Sequence, residues 1–231
     1  MSTGAILLCA GRGDRLGAGV PKAFVPLAGR PLFAWSLAAL QRCSDVDAIV
    51  VVGPVRTARE LLAASGASLA RVIEFVEGGA ERQHSVARGL AALPAKHDLV
   101  VVHDAARSLV SPEVVARAIA AARAYGAAIA AVPLADTLKA VMDDRIIATP
   151  PRAGMWRAQT PQVFRRDWLE AAHAAATDTA TDDAALVEAL GHEVRVSEGD
   201  PLNFKITTPA DLALAEAWLA HVAARVTGGT P

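Results

Sequence analysis

The stretch Ile6–Lys22, ILLCAGRGDRLGAGVPK, joins an apolar segment directly to a glycine-rich loop. Residues 6–10 are uninterrupted apolar sequence, which is typical of a strand buried on both faces of a parallel sheet. Glycine lacks a Cβ, so it allows positive φ angles and close approach to a ligand. The loop contains Gly11, Gly13, Gly17 and Gly19. The stretch therefore predicts a buried strand followed by a binding loop.

The loop is also cationic. It carries Arg12, Arg15 and Lys22 against the single acid Asp14. Charged hydrogen-bond donors of this kind suit phosphate oxygens. An ordinary flexible turn would explain neither the three cations nor the rigid Pro21 beside them, so the loop predicts a nucleotide polyphosphate as its ligand.

Two common phosphate-binding motifs do not match this loop. A Walker A motif requires a Gly-Lys pair, whereas Lys22 follows Pro21. The dinucleotide fingerprint requires G-x-G-x-x-G, but Gly11, Gly13 and Gly17 are spaced one residue too far apart. The second predicted strand also ends at Gly53 without an acid for a ribose. The sequence therefore argues against a P-loop and against an NAD site.

Composition indicates one globular α/β domain spanning residues 1–231. The chain is 53% hydrophobic and 20% charged, and its formal net charge is −1. This balance argues against a broad surface for nucleic acid or anionic membrane, so the Arg and Lys clusters should serve small anionic ligands locally.

The two cysteines, Cys9 and Cys43, lie in a predicted strand and at a predicted helix end. We expect both to be unpaired thiols in a reducing compartment. No basic leader precedes the first apolar run, which is too short for a signal peptide or a membrane span. These features predict a cytoplasmic protein.

Hydrophobic patterning predicts alternating strands and helices after the loop. Expected helices cover 31–43 and 57–65, and expected strands cover 48–52 and 72–76. This β-α-β-α-β order indicates an α/β fold with a Rossmann-like, mostly parallel sheet and helices on both faces. The most uniformly apolar strand, 99–102, is the candidate for the sheet centre. Residues 137–151 predict a small projecting β-hairpin arm, which should pack on a second copy of the chain.

Polar residues follow the predicted strands where α/β sheets bind ligands. Gly78 and Gly79 lead into a helix whose first turns carry Glu81, Arg82 and Ser85, and the free N–H groups there suit a phosphate. The alternative is a plain strand-to-helix turn with a solvated arginine. The sequence alone leaves both interpretations open.

Asp104 follows the central strand and is the best carboxylate for Mg²⁺ or a ribose hydroxyl. Its alternative role is an ion pair with Arg107 or a helix cap. His103 is interpreted as structural.

Lys205 lies on a predicted extended segment, where a lone lysine by default extends to solvent. Residues 152–162 are broken by prolines and are interpreted as an ordered loop.

Taken together, these motifs resemble the 2-C-methyl-D-erythritol 4-phosphate cytidylyltransferase family of nucleotidyltransferases. The resemblance covers nearly the whole chain. Seven motifs match in order: the glycine-rich loop to Pro21-Lys22, Gly78–Ser85 (GGxERxxS), Val102–Arg107 (VHDAAR), Asp136-Thr137, Arg152 with Trp156–Gln162 (WxxxTPQ), Thr181-Asp182, and Asn203–Thr207 (NFKIT).

The resemblance implies transfer of CMP from CTP to methylerythritol 4-phosphate, with release of pyrophosphate, by a homodimer that uses Mg²⁺. A phosphate monoester is itself a nucleophile, so positioning and charge neutralisation are sufficient for catalysis. Arg15 and Lys22 would stabilise the transition state, and Arg152 and Lys205 would position the acceptor phosphate. Arg152 and Thr160 would reach across the dimer. The implied nucleotide-binding residues are Ala10, Gly11, Gly13, Gly78, Gly79, Ser85, Asp104 and Ala105, with Asp104 also holding the metal; the implied acceptor-binding residues are Arg107, Thr137 and Thr160.

The chain departs from the family pattern at three positions, where Ala80, Ser108 and Ala135 replace the usual Asp, Pro and Arg. Ala80 bears on base recognition. Two alternative functions share these features in part. Ribitol-5-phosphate cytidylyltransferases have the same fold and most of the motifs. A non-catalytic nucleotide-binding module would be expected to lose Arg15 or Lys22, and both are present.

Overall fold

A seven-stranded sheet organises the computed structural model, which describes residues 1–11 and 19–227. Its strands, in spatial order, are β11 (Arg195–Glu198), β7 (Ala127–Pro133), β10 (Trp156–Arg165), β6 (Leu99–Asp104), β1 (Thr3–Leu8), β4 (Ala48–Val52) and β5 (Val72–Val76). All neighbours pair in parallel except β10, which runs antiparallel to both β6 and β7. The predicted mostly parallel sheet, with 99–102 at its centre, is confirmed.

Helices cover both faces of the sheet. They are α1 (Leu32–Arg42), α2 (Val55–Ser65), α3 (Arg82–Ala92), α4 (Pro112–Tyr125), α5 (Arg166–Ala175), α6 (Asp183–Ala189) and α7 (Pro209–Thr227). The buried residues of α1, α2 and α4 form one apolar cluster, and those of α3, α5 and α6 form another. Along β1, Ala5 and Leu7 face the first cluster while Ile6 faces the second. A strand buried on both faces needs the continuous apolar run that the sequence shows.

The segment 152–162, interpreted above as a loop, was predicted wrongly. Its second half begins the ten-residue strand β10. Proline cannot donate to a sheet ladder and is tolerated at bulges, and the pairing of β10 with β7 shifts register between Ala158 and Gln162, around Pro161. The bulge therefore explains how a proline-containing segment forms an internal strand.

The predicted hairpin arm is present as β8 (Ala140–Met142) and β9 (Arg145–Ala148). Asp143 and Asp144 form its turn with φ angles of 47° and 59°. Consecutive left-handed residues are characteristic of a two-residue hairpin turn. Among the residues that the structure describes, these two strands pair only with each other. A further small ribbon, β2 (Pro26–Leu27) with β3 (Arg30–Pro31), follows the glycine-rich stretch. In the described parts of the chain, no helix has the length and apolar character needed to cross a bilayer.

Helix α3 packs so closely on the sheet that Gly89 is required there. A Cβ at Gly89 would lie 2.6 Å from Ile6 Cγ2 and 2.9 Å from Val52 Cγ2. Both neighbours are β-branched side chains on buried strands, so neither can move away easily.

We predict that Gly89→Ala lowers the free energy of unfolding by about 1 to 2 kcal/mol, because overpacking outweighs the better helix propensity of alanine. Urea denaturation measures the change. Ala87→Gly, on the exposed face of the same helix, is the matched control and should cost about 1 kcal/mol through propensity alone. A Gly89→Ala variant more stable than the parent protein would contradict the packing argument.

Candidate active site

A cleft opens where β1 and β6 end side by side. Leu8 pairs with Asp104 in the parallel register, so the start of the glycine-rich loop and the carboxylate lie next to each other. The larger cavity of the cleft has a volume of about 340 Å³. Its wall includes the predicted residues Ala10, Gly11, Lys22, Gly79, Ser85, Asp104 and Lys205. The structure thus gathers in one cavity residues that the sequence spreads over almost 200 positions.

Two glycines beside this cavity allow close backbone packing: Gly79 lines the cavity, whereas the predicted residue Gly78 is next to Gly79 but does not line it. A Cβ at Gly78 would lie 2.3 Å from the Cβ of Ala10, and one at Gly79 would lie 2.4 Å from the Cβ of His84. Ser85 Oγ accepts a hydrogen bond from Gly79 N at 3.0 Å and lies 3.2 Å from Glu81 O, to which it donates. The serine hydroxyl therefore shapes the turn at the start of α3, while its residue also lines the cavity.

An ion-pair network lies at the base of the cleft. Lys205 Nζ is 2.6 Å from Asp104 Oδ2, and Arg82 Nε is 3.3 Å from Asp104 Oδ1. Arg82 Nη1 also contacts Asp183 Oδ2 at 2.6 Å. Burial by itself would raise the pKa of Asp104, but the charges of Lys205 and Arg82 outweigh it and hold that pKa well below its usual range. Asp104 is therefore a carboxylate, able to accept donors or to bind a cation.

A second cavity of about 260 Å³ adjoins the first. Arg82, Asp104 and Lys205 line both cavities, so these three residues form the boundary between them. The sequence analysis left Arg82 as a choice between a solvated residue and one facing a nucleotide; the structure places it in the cleft. Its position as the first residue of a helix after two glycines was the available signal.

Predicted acceptor residues Arg107 and Thr160 line the second cavity, but each is also tied to the backbone. Arg107 donates to the carbonyls of Asn203 at 2.8 Å and Ala158 at 3.2 Å. Thr160 is only 4% exposed, and its Oγ1 accepts from Asp104 N at 3.0 Å. Its side chain thus faces the site of its own chain, which differs from the expectation that it reaches a partner's site.

His103 is structural, as interpreted from the sequence. Thr160 Oγ1 lies 3.0 Å from His103 Nδ1, and His103 Nε2 lies 3.4 Å from the carbonyl oxygen of Arg107. Because a carbonyl oxygen can only accept, His103 Nε2 carries the proton and donates, and Nδ1 of the neutral imidazole accepts from the Thr160 hydroxyl. Burial lowers the pKa of His103 to about 4.

The sequence analysis missed a buried support behind Arg82. One carboxylate oxygen of Asp183 forms the ion pair with Arg82. The other oxygen lies 2.9 Å from His173 Nε2. Gln162 Oε1 accepts from Asp183 N at 3.2 Å and from Ala184 N at 3.3 Å. The sequence analysis noted only the motif Thr181-Asp182, of which Asp182 caps α6 by accepting from Ala185 N. Contacts between residues about 100 positions apart leave no local pattern in the sequence.

The remaining predicted site residues lie elsewhere. Ala105 is buried behind the cavity and donates its N–H to Leu8 O at 3.0 Å. Arg152 and Thr137 are exposed near the hairpin arm and line neither cavity, and Arg152 donates to the carbonyl of Ala135. Arg15 and Gly13 lie outside the described residues.

The chain is similar to known proteins over nearly its whole length. The family model for 2-C-methyl-D-erythritol 4-phosphate cytidylyltransferase (IspD) matches residues 3–221. The chain belongs to this family. Curated proteins of that name include one from Frankia casuarinae, 48% identical over 94% of this chain and 81% of the relative, and one from Prochlorococcus marinus, 44% identical over 93% and 97%.

Solved structures agree with the fold as well. The cytidylyltransferase of the same name from Thermus thermophilus is 40% identical, with a TM-score of 0.77 and coverage of 95% of this chain and 100% of that one. The 4-diphosphocytidyl-2C-methyl-D-erythritol synthase from Anaerococcus prevotii has a TM-score of 0.82 at 29% identity, with coverage of 95% and 96%. The family assignment made from seven motifs is confirmed.

We predict that His103 makes the stability of the protein depend on pH between about 6.5 and 4. The unfolded chain binds a proton near pH 6.5 and the folded protein only near pH 4, so stability is present above this window and falls as the pH is lowered through it. Urea denaturation of the parent and of His103→Gln over this range measures the effect. The pKa of His97 is also lowered, but His97 is present in both proteins and cancels in the difference. Parallel pH curves for the two proteins would contradict the assignment.

Proposed function

We propose that the protein transfers CMP from CTP to 2-C-methyl-D-erythritol 4-phosphate in isoprenoid precursor biosynthesis. An oxygen of the acceptor phosphate forms a bond to the α-phosphorus of CTP while the bond to the bridging oxygen breaks. The products are 4-diphosphocytidyl-2-C-methylerythritol and pyrophosphate. The observation that carries the proposal is the pair of adjoining cavities with Arg82, Asp104 and Lys205 at their boundary. Two phosphate-bearing substrates meeting at a cationic boundary suit phosphoryl chemistry of this kind.

The cleft has the groups that this reaction needs. The acceptor brings its own nucleophile, so no activated side chain is required. Cys9 lines the first cavity, but burial raises the pKa of its thiol far above the usual range, which keeps it un-ionised. Catalysis then consists of holding the two substrates in line and neutralising the charge that develops on the leaving pyrophosphate.

In this proposal CTP occupies the first cavity and methylerythritol phosphate occupies the second. Gly78 lies directly against Ala10, which lines the first cavity, and a side chain at Gly78 would displace that wall. Lys22, which lines that cavity, stabilises the charge on the phosphates, and the family resemblance assigns the same role to Arg15. Lys205 lies at the boundary, where it can orient the acceptor phosphate toward the α-phosphorus.

A magnesium ion fits this site through Asp104. The described residues contain no group of three or more His, Cys, Asp or Glu side chains suited to a metal, and Mg²⁺ commonly binds through one or two carboxylates together with substrate phosphates. The ionised Asp104 beside the first cavity matches that pattern. When bound, the metal would neutralise charge on the triphosphate.

We further propose that the active protein is a homodimer held by the hairpin arm. Val141, Met142, Ile146 and Ile147 are each 57% to 62% exposed, although all four are apolar. A two-stranded ribbon is marginal alone, and exposed apolar clusters commonly mark interfaces. Arg152 and Thr137 lie beside the arm, outside their own chain's cavities, and Arg152 would complete the partner's site.

Two buried, unpaired cysteines suit a cytoplasmic protein.

We predict that the protein releases pyrophosphate from CTP with methylerythritol 4-phosphate and Mg²⁺, and that Lys22→Met lowers kcat by roughly 100-fold or more, because it removes a charge-assisted contact to the developing charge. Coupled pyrophosphate detection measures both results. Chelation of Mg²⁺ should abolish turnover. Lys96→Met, an exposed lysine outside both cavities, is the matched control and should leave kcat unchanged.

The same assay should offer ribitol 5-phosphate in a parallel reaction. Turnover with ribitol phosphate alone would retain the mechanism but replace the substrate. Tight CTP binding without turnover of either acceptor would favour a non-catalytic nucleotide-binding protein. Near-normal turnover by Lys22→Met would refute the role given to that lysine.

For the dimer, we predict that Ile146→Asp gives a monomer with impaired use of methylerythritol phosphate, because a carboxylate in the apolar arm surface opposes association. Sedimentation velocity and steady-state kinetics measure the two effects. Ile73→Asp places the same charge at another exposed isoleucine, on the edge strand β5, and should leave association unchanged. A fully active Ile146→Asp monomer would exclude a shared site.

A further inference from the structure

Lys205 lies on a segment without helix or strand. Residues 199–208, between β11 and α7, follow an irregular path. A charged side chain on such a segment keeps a fixed position only when the backbone that carries it is held by other contacts. The contacts that hold this segment therefore determine where Lys205 meets Asp104.

Gln159 supplies three of these contacts. Its Nε2 donates to Asp200 O at 2.8 Å, and its Oε1 accepts from Asp200 N at 3.2 Å and from Asn203 Nδ2 at 3.2 Å. Asn203 Nδ2 donates in addition to Thr160 O at 2.8 Å. Gln159 is 4% exposed and Asn203 is fully buried. A buried amide that satisfies both backbone groups of one residue holds that residue in a single orientation.

The surrounding chain is shaped for this contact. A Cβ at Gly199 would lie 2.4 Å from Gln159 Oε1 and 2.9 Å from the carbonyl oxygen of Ala131, so only glycine leaves room for the glutamine. On the other side of Asn203, Ile206 N donates to Ala106 O at 2.8 Å. Lys205 lies between these two points of attachment.

The bulge in β10 brings this support to the site. Bulges change the direction of side chains along a strand, and Gln159 lies within the register shift between Ala158 and Gln162. The next residue, Thr160, accepts from Asp104 N at 3.0 Å. Consecutive residues of one strand thus hold the backbone of Asp104 and, through Asp200 and Asn203, the segment that carries Lys205.

We propose that Gln159, acting through Asp200 and Asn203, is a positioning residue that aligns Lys205 with Asp104 at the boundary of the two cavities. Its kinetic consequence rests on the cytidylyl transfer proposed above. A purely structural glutamine would affect the stability of the fold, whereas a positioning residue affects turnover by way of Lys205.

The test is Gln159→Met, which keeps the length of the side chain and removes its hydrogen bonds. We expect kcat to fall at least about tenfold, since small displacements of positioning groups have effects of this order or larger, while KM for CTP stays within about twofold. In a Lys205→Met background the same substitution should have almost no further effect on kcat, because residues that act through one another are not additive.

Gln41→Met is the matched control. Gln41 also holds a loop through a backbone carbonyl and a backbone N–H, donating to Ser68 O at 2.8 Å and accepting from Arg71 N at 3.3 Å, but it lines neither cavity. This variant should lose thermal stability and keep kcat and KM. If Gln159→Met does not fold, Asn203→Ser removes part of the same support and is expected to lower kcat with the same pattern.

A second readout requires no turnover. The rate at which acetic anhydride modifies Lys205, followed by peptide mass spectrometry, should rise severalfold in Gln159→Met and stay unchanged in Gln41→Met, because a loosened segment exposes the amine. This distinguishes a failure of the proposed reaction from a failure of the positioning role. Parent-like kcat and parent-like labelling of Lys205 in Gln159→Met would overturn the proposal.

Discussion

The ion pair between Asp104 and Lys205 is the interaction on which the active site depends. Asp104 ends the central strand, where it is almost completely buried, and a buried carboxylate is stable only when cations or donors surround it. Lys205 and Arg82 supply that compensation. The three side chains come from the end of β6, the start of α3 and an irregular segment before α7, so the pairing also joins distant parts of the chain at the cleft.

The sheet explains why this pairing forms at the cleft. In parallel strands the carboxyl ends lie along one edge, so β1 and β6 deliver the glycine-rich loop and Asp104 to neighbouring positions. The single reversed strand, β10, adds a different kind of support. Its bulge directs Gln159 toward the segment of Lys205 and Thr160 toward the backbone of Asp104. A regular strand would alternate these side chains between the two faces of the sheet.

Charge in the cleft is arranged for a phosphate-rich reaction. Lys22, Lys205 and Arg82 line the first cavity, and Asp183, which also contacts His173, holds Arg82 from the other side. Such fixed charges stabilise a developing anion without further reorganisation, which is the main source of catalysis in phosphoryl transfer. His103 is neutral, so it adds no charge to the cleft, and its role is to contact Thr160 Oγ1 and the carbonyl oxygen of Arg107.

The sequence by itself determined the strands and helices of the first half of the chain, the central position of 99–102, the hairpin arm and the family. These features rest on local patterns, namely apolar runs, helix caps and glycine spacing, which neighbouring residues reveal. Only the tertiary structure decided that 156–165 forms a reversed, bulged strand, that Arg82 lies between Asp104 and Asp183, and that Gln159 holds the segment of Lys205. Each of these depends on contacts between residues about 20 to 100 positions apart, and the packing of the whole sheet brings such residues together.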